Sequence, residues 1–71
     1  MTMDIVAAKK ELYNQLKNYS EVTGAGIQEK HGTEYIVIFI TSLTAKLRSA
    51  IPSTFKGNKV KTEVRQLAKA I

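Results

Sequence analysis

The chain has 71 residues, 44% of them hydrophobic and 24% charged, with eleven Lys and Arg against six Asp and Glu, a formal charge of +5 and a pI near 9.7. That length allows one small domain, near the size at which a single core only just outweighs the entropy lost on folding. The lack of cysteine excludes disulfides and thiolate–metal sites, the globular composition excludes a disordered chain, and self-association is left as the expected supplement to stability. The positive charge favours anionic partners. The longest apolar run is about six residues, where about 20 are needed to cross a bilayer. Asp4 stands early, with no central apolar stretch and no small-residue cleavage pattern, which predicts no secretory signal and a cytoplasmic location.

Ile5, Ala8, Leu12, Leu16 and Tyr19 draw one apolar stripe at spacings of three and four, predicting a helix from about 3 to 19 with Thr2 as its cap. Glu21 to Glu29 then reads as a strand weakened by Gly24 and Gly26, which lie two residues apart and so on the same face. A face bare of side chains admits close approach. A packed helix is the expected neighbour there, with a ligand as the sharper alternative. Lys30-His31-Gly32-Thr33 predicts a tight hairpin in which Gly32 takes positive φ.

Tyr35-Ile36-Val37-Ile38-Phe39-Ile40 is apolar on both alternating faces, so this strand needs cover on two sides. Ser42 or Thr44 caps a second helix with Leu43, Leu47, Ala50 and Ile51 on one stripe, and Pro52 ends it. Phe55 anchors the following loop and Gly57-Asn58 signals a turn. Lys59 to Leu67 then sets Val60, Thr62 and Val64 against Lys61, Glu63 and Arg65, a one-sided strand expected at a sheet edge.

The order predicts an α+β fold: one two-layer αββαβ domain over residues 1–71, with a three-stranded mixed sheet and two helices on one face. The second and third strands, joined through a helix, should run parallel with a right-handed crossover. Strand order 1-2-3 is preferred over 2-1-3. The face away from the helices keeps either Tyr35, Val37 and Phe39 or Ile36, Ile38 and Ile40. Leaving three such side chains uncovered forfeits several kcal/mol from a domain whose total stability is about 5–15 kcal/mol. A face-to-face homodimer through Tyr35, Val37 and Phe39 would recover that, and a lid formed by residues 67–71 is the competing cover.

Catalytic patterns are lacking. His31 is the only histidine and sits in a turn, Asp4 is the only aspartate, and Glu29 and Glu34 flank the hairpin as solubilising charges. Ser20, Ser42, Ser49 and Ser53 lack a Gly-x-Ser-x-Gly elbow and a partner base. Gly24-Ala25-Gly26 precedes a strand and lacks the third glycine of a dinucleotide loop. No enzyme activity, metal or cofactor is expected. The other functional signal is basic: Lys46 and Arg48 on the second helix and Lys56, Lys59, Lys61, Arg65 and Lys69 through the last segment, several of which could align as one stripe. Nucleic acid is the less favoured partner, because two of the eleven basic residues are Arg, no Lys/Arg-Gly-Phe signature is present, and Tyr35 and Phe39 occupy a strand read as lacking basic neighbours.

Val22-Thr-Gly-Ala-Gly-Ile27, the apolar strand, Leu47-x-x-x-Ile51-Pro52 and Phe55-x-Gly57-x-x-Val60 together resemble a pattern of small, poorly characterised bacterial α/β domains. In those, a Gly-x-Gly-Ile strand precedes a hydrophobic strand, an Ile-Pro or Leu-Pro helix end and a Gly-x-x-Val strand. The match covers about residues 22–64; the first helix lies outside it, and Arg65-Gln66-Leu67 stands where a Thr-Gly segment often follows. The resemblance implies a compact αββαβ domain and supplies no activity. The expected function is thus a non-enzymatic binding or scaffolding module that self-associates or docks a protein through its apolar sheet face. The alternative is polyanion binding through Lys46, Arg48, Lys56, Lys59, Lys61 and Arg65.

Overall fold

In the computed structural model, which describes residues 4–65, the elements run α1 (Ile5–Leu16), β1 (Val22–Lys30), β2 (Thr33–Ile40), α2 (Ala45–Ala50), β3 (Thr54–Phe55) and β4 (Asn58–Val64). The fold is α+β, and its mixed sheet has four strands rather than three, in the order β1-β2-β4-β3. The additional strand, β3, is two residues long and too short to show any alternation. It forms because Lys56 and Gly57 both take positive φ, 52° and 84°, and fold Phe55 back onto Asn58 in the pattern of a type I′ turn. The turn's central pair is therefore Lys56-Gly57, one residue earlier than the Gly57-Asn58 signal. The Asn58 side-chain amide ties it down by donating to the carbonyls of Phe55 (3.4 Å) and Lys56 (3.3 Å).

The β1–β2 hairpin is built the same way. His31 and Gly32 have φ of 53° and 79°, and a two-residue connection of this hand matches the twist of the flanking strands. β2 and β4 run parallel, in a register from Tyr35 opposite Lys59 to Ile40 opposite Val64, and the Arg65 N–H extends the ladder to the Ile40 carbonyl at 2.7 Å. The last long strand thus lies beside β2, as the preferred order requires. β3 pairs with Asn58 and Lys59, and the Val60 N–H donates to the Ser53 carbonyl at 2.9 Å, so β4 is an edge strand from Lys61 onward among the described residues.

On α1 the apolar spacing buries Ala8, Leu12 and Leu16. Its cap is Asp4 rather than Thr2, which lies outside the described residues: the Asp4 carboxylate accepts from the Ala7 N–H at 3.4 Å and its carbonyl from the Ala8 N–H at 2.8 Å. The helix stops at Leu16, short of Tyr19. On α2, Thr44 is the cap, accepting from the Leu47 N–H at 3.1 Å, and Ile51 turns to extended backbone ahead of Pro52. Leu43 precedes the helix and is exposed, so α2 contributes chiefly Leu47.

Ile36, Ile38 and Ile40, each 0% exposed, meet Ala8, Leu12, Leu16, Val22 and Leu47 in one core on the helix side. Val22 reaches that side because β1 bulges between Val22 and Gly24. The extra residue, Thr23, donates its hydroxyl to the Phe39 carbonyl at 3.3 Å. The bulge shifts the alternation by one residue. Ala25 and Ile27 then share the helix side with Ile38 and Ile36, while Gly24, Gly26 and Gln28 stand opposite Phe39, Val37 and Tyr35 on the other face. Residues 67–71, the lid alternative for that face, lie outside the described residues.

Candidate binding face

The face of the sheet away from the helices carries Tyr35, Val37 and Phe39 along β2, as expected for the surface left open. Its cover differs from the expectation. Val37 is only 2% exposed within a single chain, and Tyr35 and Phe39 are half-buried. For the two rings, neighbouring strands of the sheet provide shelter. Phe39 lies across the glycine pair of β1: a Cβ on Gly26 would stand 3.2 and 3.3 Å from two of its ring atoms, and one on Gly24 3.7 Å. An aromatic ring from the neighbouring strand, rather than a helix, lies over the bare backbone and restores the burial that glycines in a strand give up.

The outer surface of these rings is capped by cations. The Arg65 guanidinium carbon is 4.2 Å from the Phe39 ring centre, and the ammonium groups of Lys61 and Lys59 are 5.5 and 5.9 Å from that of Tyr35. The register explains the meeting, because Lys59, Lys61 and Glu63 are the β4 partners of Tyr35, Val37 and Phe39. The reading that Tyr35 and Phe39 lack basic neighbours is therefore corrected. Periodicity along β4 puts its charges on one face, but only the pairing with β2 shows that this face is the aromatic one. Glu63, whose part in the site was not foreseen, accepts from the Arg65 Nε–H at 2.6 Å. In an exposed setting such a pair contributes little to stability, and it leaves Lys59 and Lys61 as the cations of the face without a paired carboxylate among the described residues.

The remaining basic candidates do not join this stripe. Lys46 and Arg48 are exposed on α2, in the helix layer, although Arg48 reaches a shallow depression at the outer edge of β4 that Lys61 also lines. Lys56 sits in the β3–β4 turn over the ring of Phe55, 5.7 Å away, and Phe55 packs on the helix-side core. The single basic stripe thus resolves into Lys59, Lys61 and Arg65 on the open face and Lys46, Arg48 and Lys56 elsewhere. Lys69 lies outside the described residues.

His31 is exposed at the hairpin tip, and Glu29 and Glu34 stand directly opposite one another beside it. Among the described residues no polar or charged side chain is buried, and no helix is long and apolar enough to cross a membrane. The open face brings together two rings on one strand, three cations and a carboxylate on the next, and on the third two glycines against which one ring rests. No family model, curated protein or solved structure matches the chain.

Proposed function

We propose that the chain is a non-enzymatic binding module, acting in the cytoplasm, whose open sheet face engages a polyanion. The observation that supports this reading is the convergence of Lys59, Lys61 and Arg65 beside Tyr35 and Phe39, with Glu63 as the one carboxylate among them. Cations held along one strand offer an array to a repeating anion, and Glu63 offsets only one of the three, Arg65.

The rival reading is a homodimer, or a docked protein, covering Tyr35, Val37 and Phe39. Two observations weigh against it. Val37 is already only 2% exposed within a single chain, which reduces the gain from apolar burial. A face-to-face pair would also bring the Lys59, Lys61 and Arg65 of both copies together and strip their water.

Retention on immobilised heparin tests the reading. Wild type is retained at low salt and released as salt rises, with a shallow dependence set by about three contacts. Replacing Lys59, Lys61 and Arg65 by Glu abolishes retention, whereas replacing Lys46 and Arg48 by Glu preserves most of it. Equal losses in the two variants would overturn the assignment to this face. A wild-type sedimentation mass of two chains that Val37→Glu halves would restore the dimer in its place.

A further inference from the structure

Resting on the polyanion reading, we infer a narrower ligand: the open face takes single-stranded nucleic acid, with bases stacked on Tyr35 and Phe39 and the sugar–phosphate backbone running along Lys59, Lys61 and Arg65. A face that bound anions by charge alone would have no use for rings. Here the two aromatic residues stand on one strand, four positions and so about 13 Å apart along its backbone, with buried Val37 between them. The cations stand on the adjacent parallel strand, in the same direction and in register with the rings.

The third strand adds the element that charge alone does not explain. β1 presents Gly24 and Gly26, which raise no side chains, and Gln28, which faces Tyr35 and offers an amide to a base edge. The face is therefore asymmetric, with Lys59, Lys61 and Arg65 along β4 and, along β1, a glycine seat that the Phe39 ring fills. Phe39 is held from below, because its ring rests against both glycines, so its outer side is the one that can receive another plane. That side is occupied by the Arg65 guanidinium at 4.2 Å. Contacts of this kind at an exposed site are weak, and a guanidinium plane and a base are alternative stacking partners for one ring. An incoming base exchanges with Arg65, which trades its exposed pair with Glu63 for a phosphate, and Lys59 and Lys61 leave Tyr35 for the same backbone.

Single strands fit this arrangement and duplexes do not. Bases within a duplex are already stacked, so a flat sheet reaches only its phosphates, whereas an unpaired strand can splay its bases onto a ring. Acidic peptides would meet the cations but leave the outer sides of the two rings without a role. RNA and single-stranded DNA share the chemistry argued here, and the 2′-hydroxyl distinguishes them only by experiment.

Fluorescence anisotropy with labelled oligo(dT) and oligo(U) tests the inference, using heparin, polyglutamate and a DNA duplex as competitors. The expected result is tighter binding of a single strand than of the duplex or either base-free polyanion. Tyr35→Leu and Phe39→Leu should each weaken single-strand binding by about tenfold while leaving heparin binding and the salt slope unchanged. Tyr35 does not rest on the glycines, so its variant keeps the test sound if Phe39→Leu perturbs the fold. If the single strands and heparin bind equally and both ring variants bind like wild type, stacking is overturned and the polyanion reading stands. If neither heparin nor a single strand binds at low salt, both fall.

Discussion

β2 presents two faces that are equally apolar in sequence and are covered in different ways. Ile36, Ile38 and Ile40 meet helices, and their cover is a separate layer fixed by backbone. On the other face Tyr35 and Phe39 are met by Arg65, Lys59, Lys61 and the glycine backbone, all from neighbouring strands, with Val37 buried between them. The first kind of cover is dense and belongs to stability. The second is made of long side chains whose heads remain in water, and these can exchange one partner for another at small cost. An apolar run with two faces need not imply a missing layer, since a neighbouring strand of Lys and Arg can supply both shelter and charge.

The sharpest way to break this contrast is to remove matched apolar groups from the two faces. Ile38→Ala should destabilise by about 2–5 kcal/mol, because its surroundings are helix and sheet and close poorly on a cavity. In a domain of this size that is enough to leave much of the chain unfolded, as urea denaturation would read. Val37→Ala, at a site nearly as buried, should cost only about 1–2 kcal/mol, since flexible side chains can settle into the space. Equal costs, once the different number of atoms removed is allowed for, would mean that the open face is as rigidly packed as the core.

The glycines give a smaller test. Gly32→Ala should cost about 1–2 kcal/mol from positive φ alone, because a Cβ there meets nothing within 4 Å. Gly26→Ala faces the opposite situation, with no positive φ but a ring in the way. Phe39 can tilt outward toward Arg65, so the stability change should stay within about 1 kcal/mol while the ring's NMR signals shift. The smallest effect belongs to Arg65→Ala, expected below about 1 kcal/mol in stability because its contacts with Phe39 and Glu63 are exposed. Its effect on binding should be much larger. A loss of several kcal/mol in stability would instead make Arg65 a structural clamp.

Much of the helix-side architecture was legible in the sequence. The stripe of α1 identified Ala8, Leu12 and Leu16, the Thr44 cap and Pro52 bounded α2, and the doubly apolar run marked β2 as central. These are signals carried by neighbours a few residues apart. What escaped depended on contacts between strands. β3 has two residues and hence no period, and the Thr23 bulge moves Val22 to the helix side in a way that simple alternation cannot register. The role of Gly24 and Gly26 was misjudged because the ring that covers them comes from Phe39, across the hairpin. The candidate site was half legible: its aromatic and basic halves were each visible, but the parallel register from Tyr35–Lys59 to Ile40–Val64 that joins them is set by packing rather than by local pattern.

Amide and side-chain NMR shifts of the labelled protein, followed during titration with a short single-stranded oligonucleotide at low salt, test the central claim most directly. The account predicts shifts concentrated at Gly24, Gly26, Gln28, Tyr35, Phe39, Lys59, Lys61 and Arg65, with α1 at Ala8, Leu12 and Leu16 unmoved. Shifts confined to the helix layer around Lys46 and Arg48, or none at a concentration where the oligonucleotide is in large excess, would contradict it.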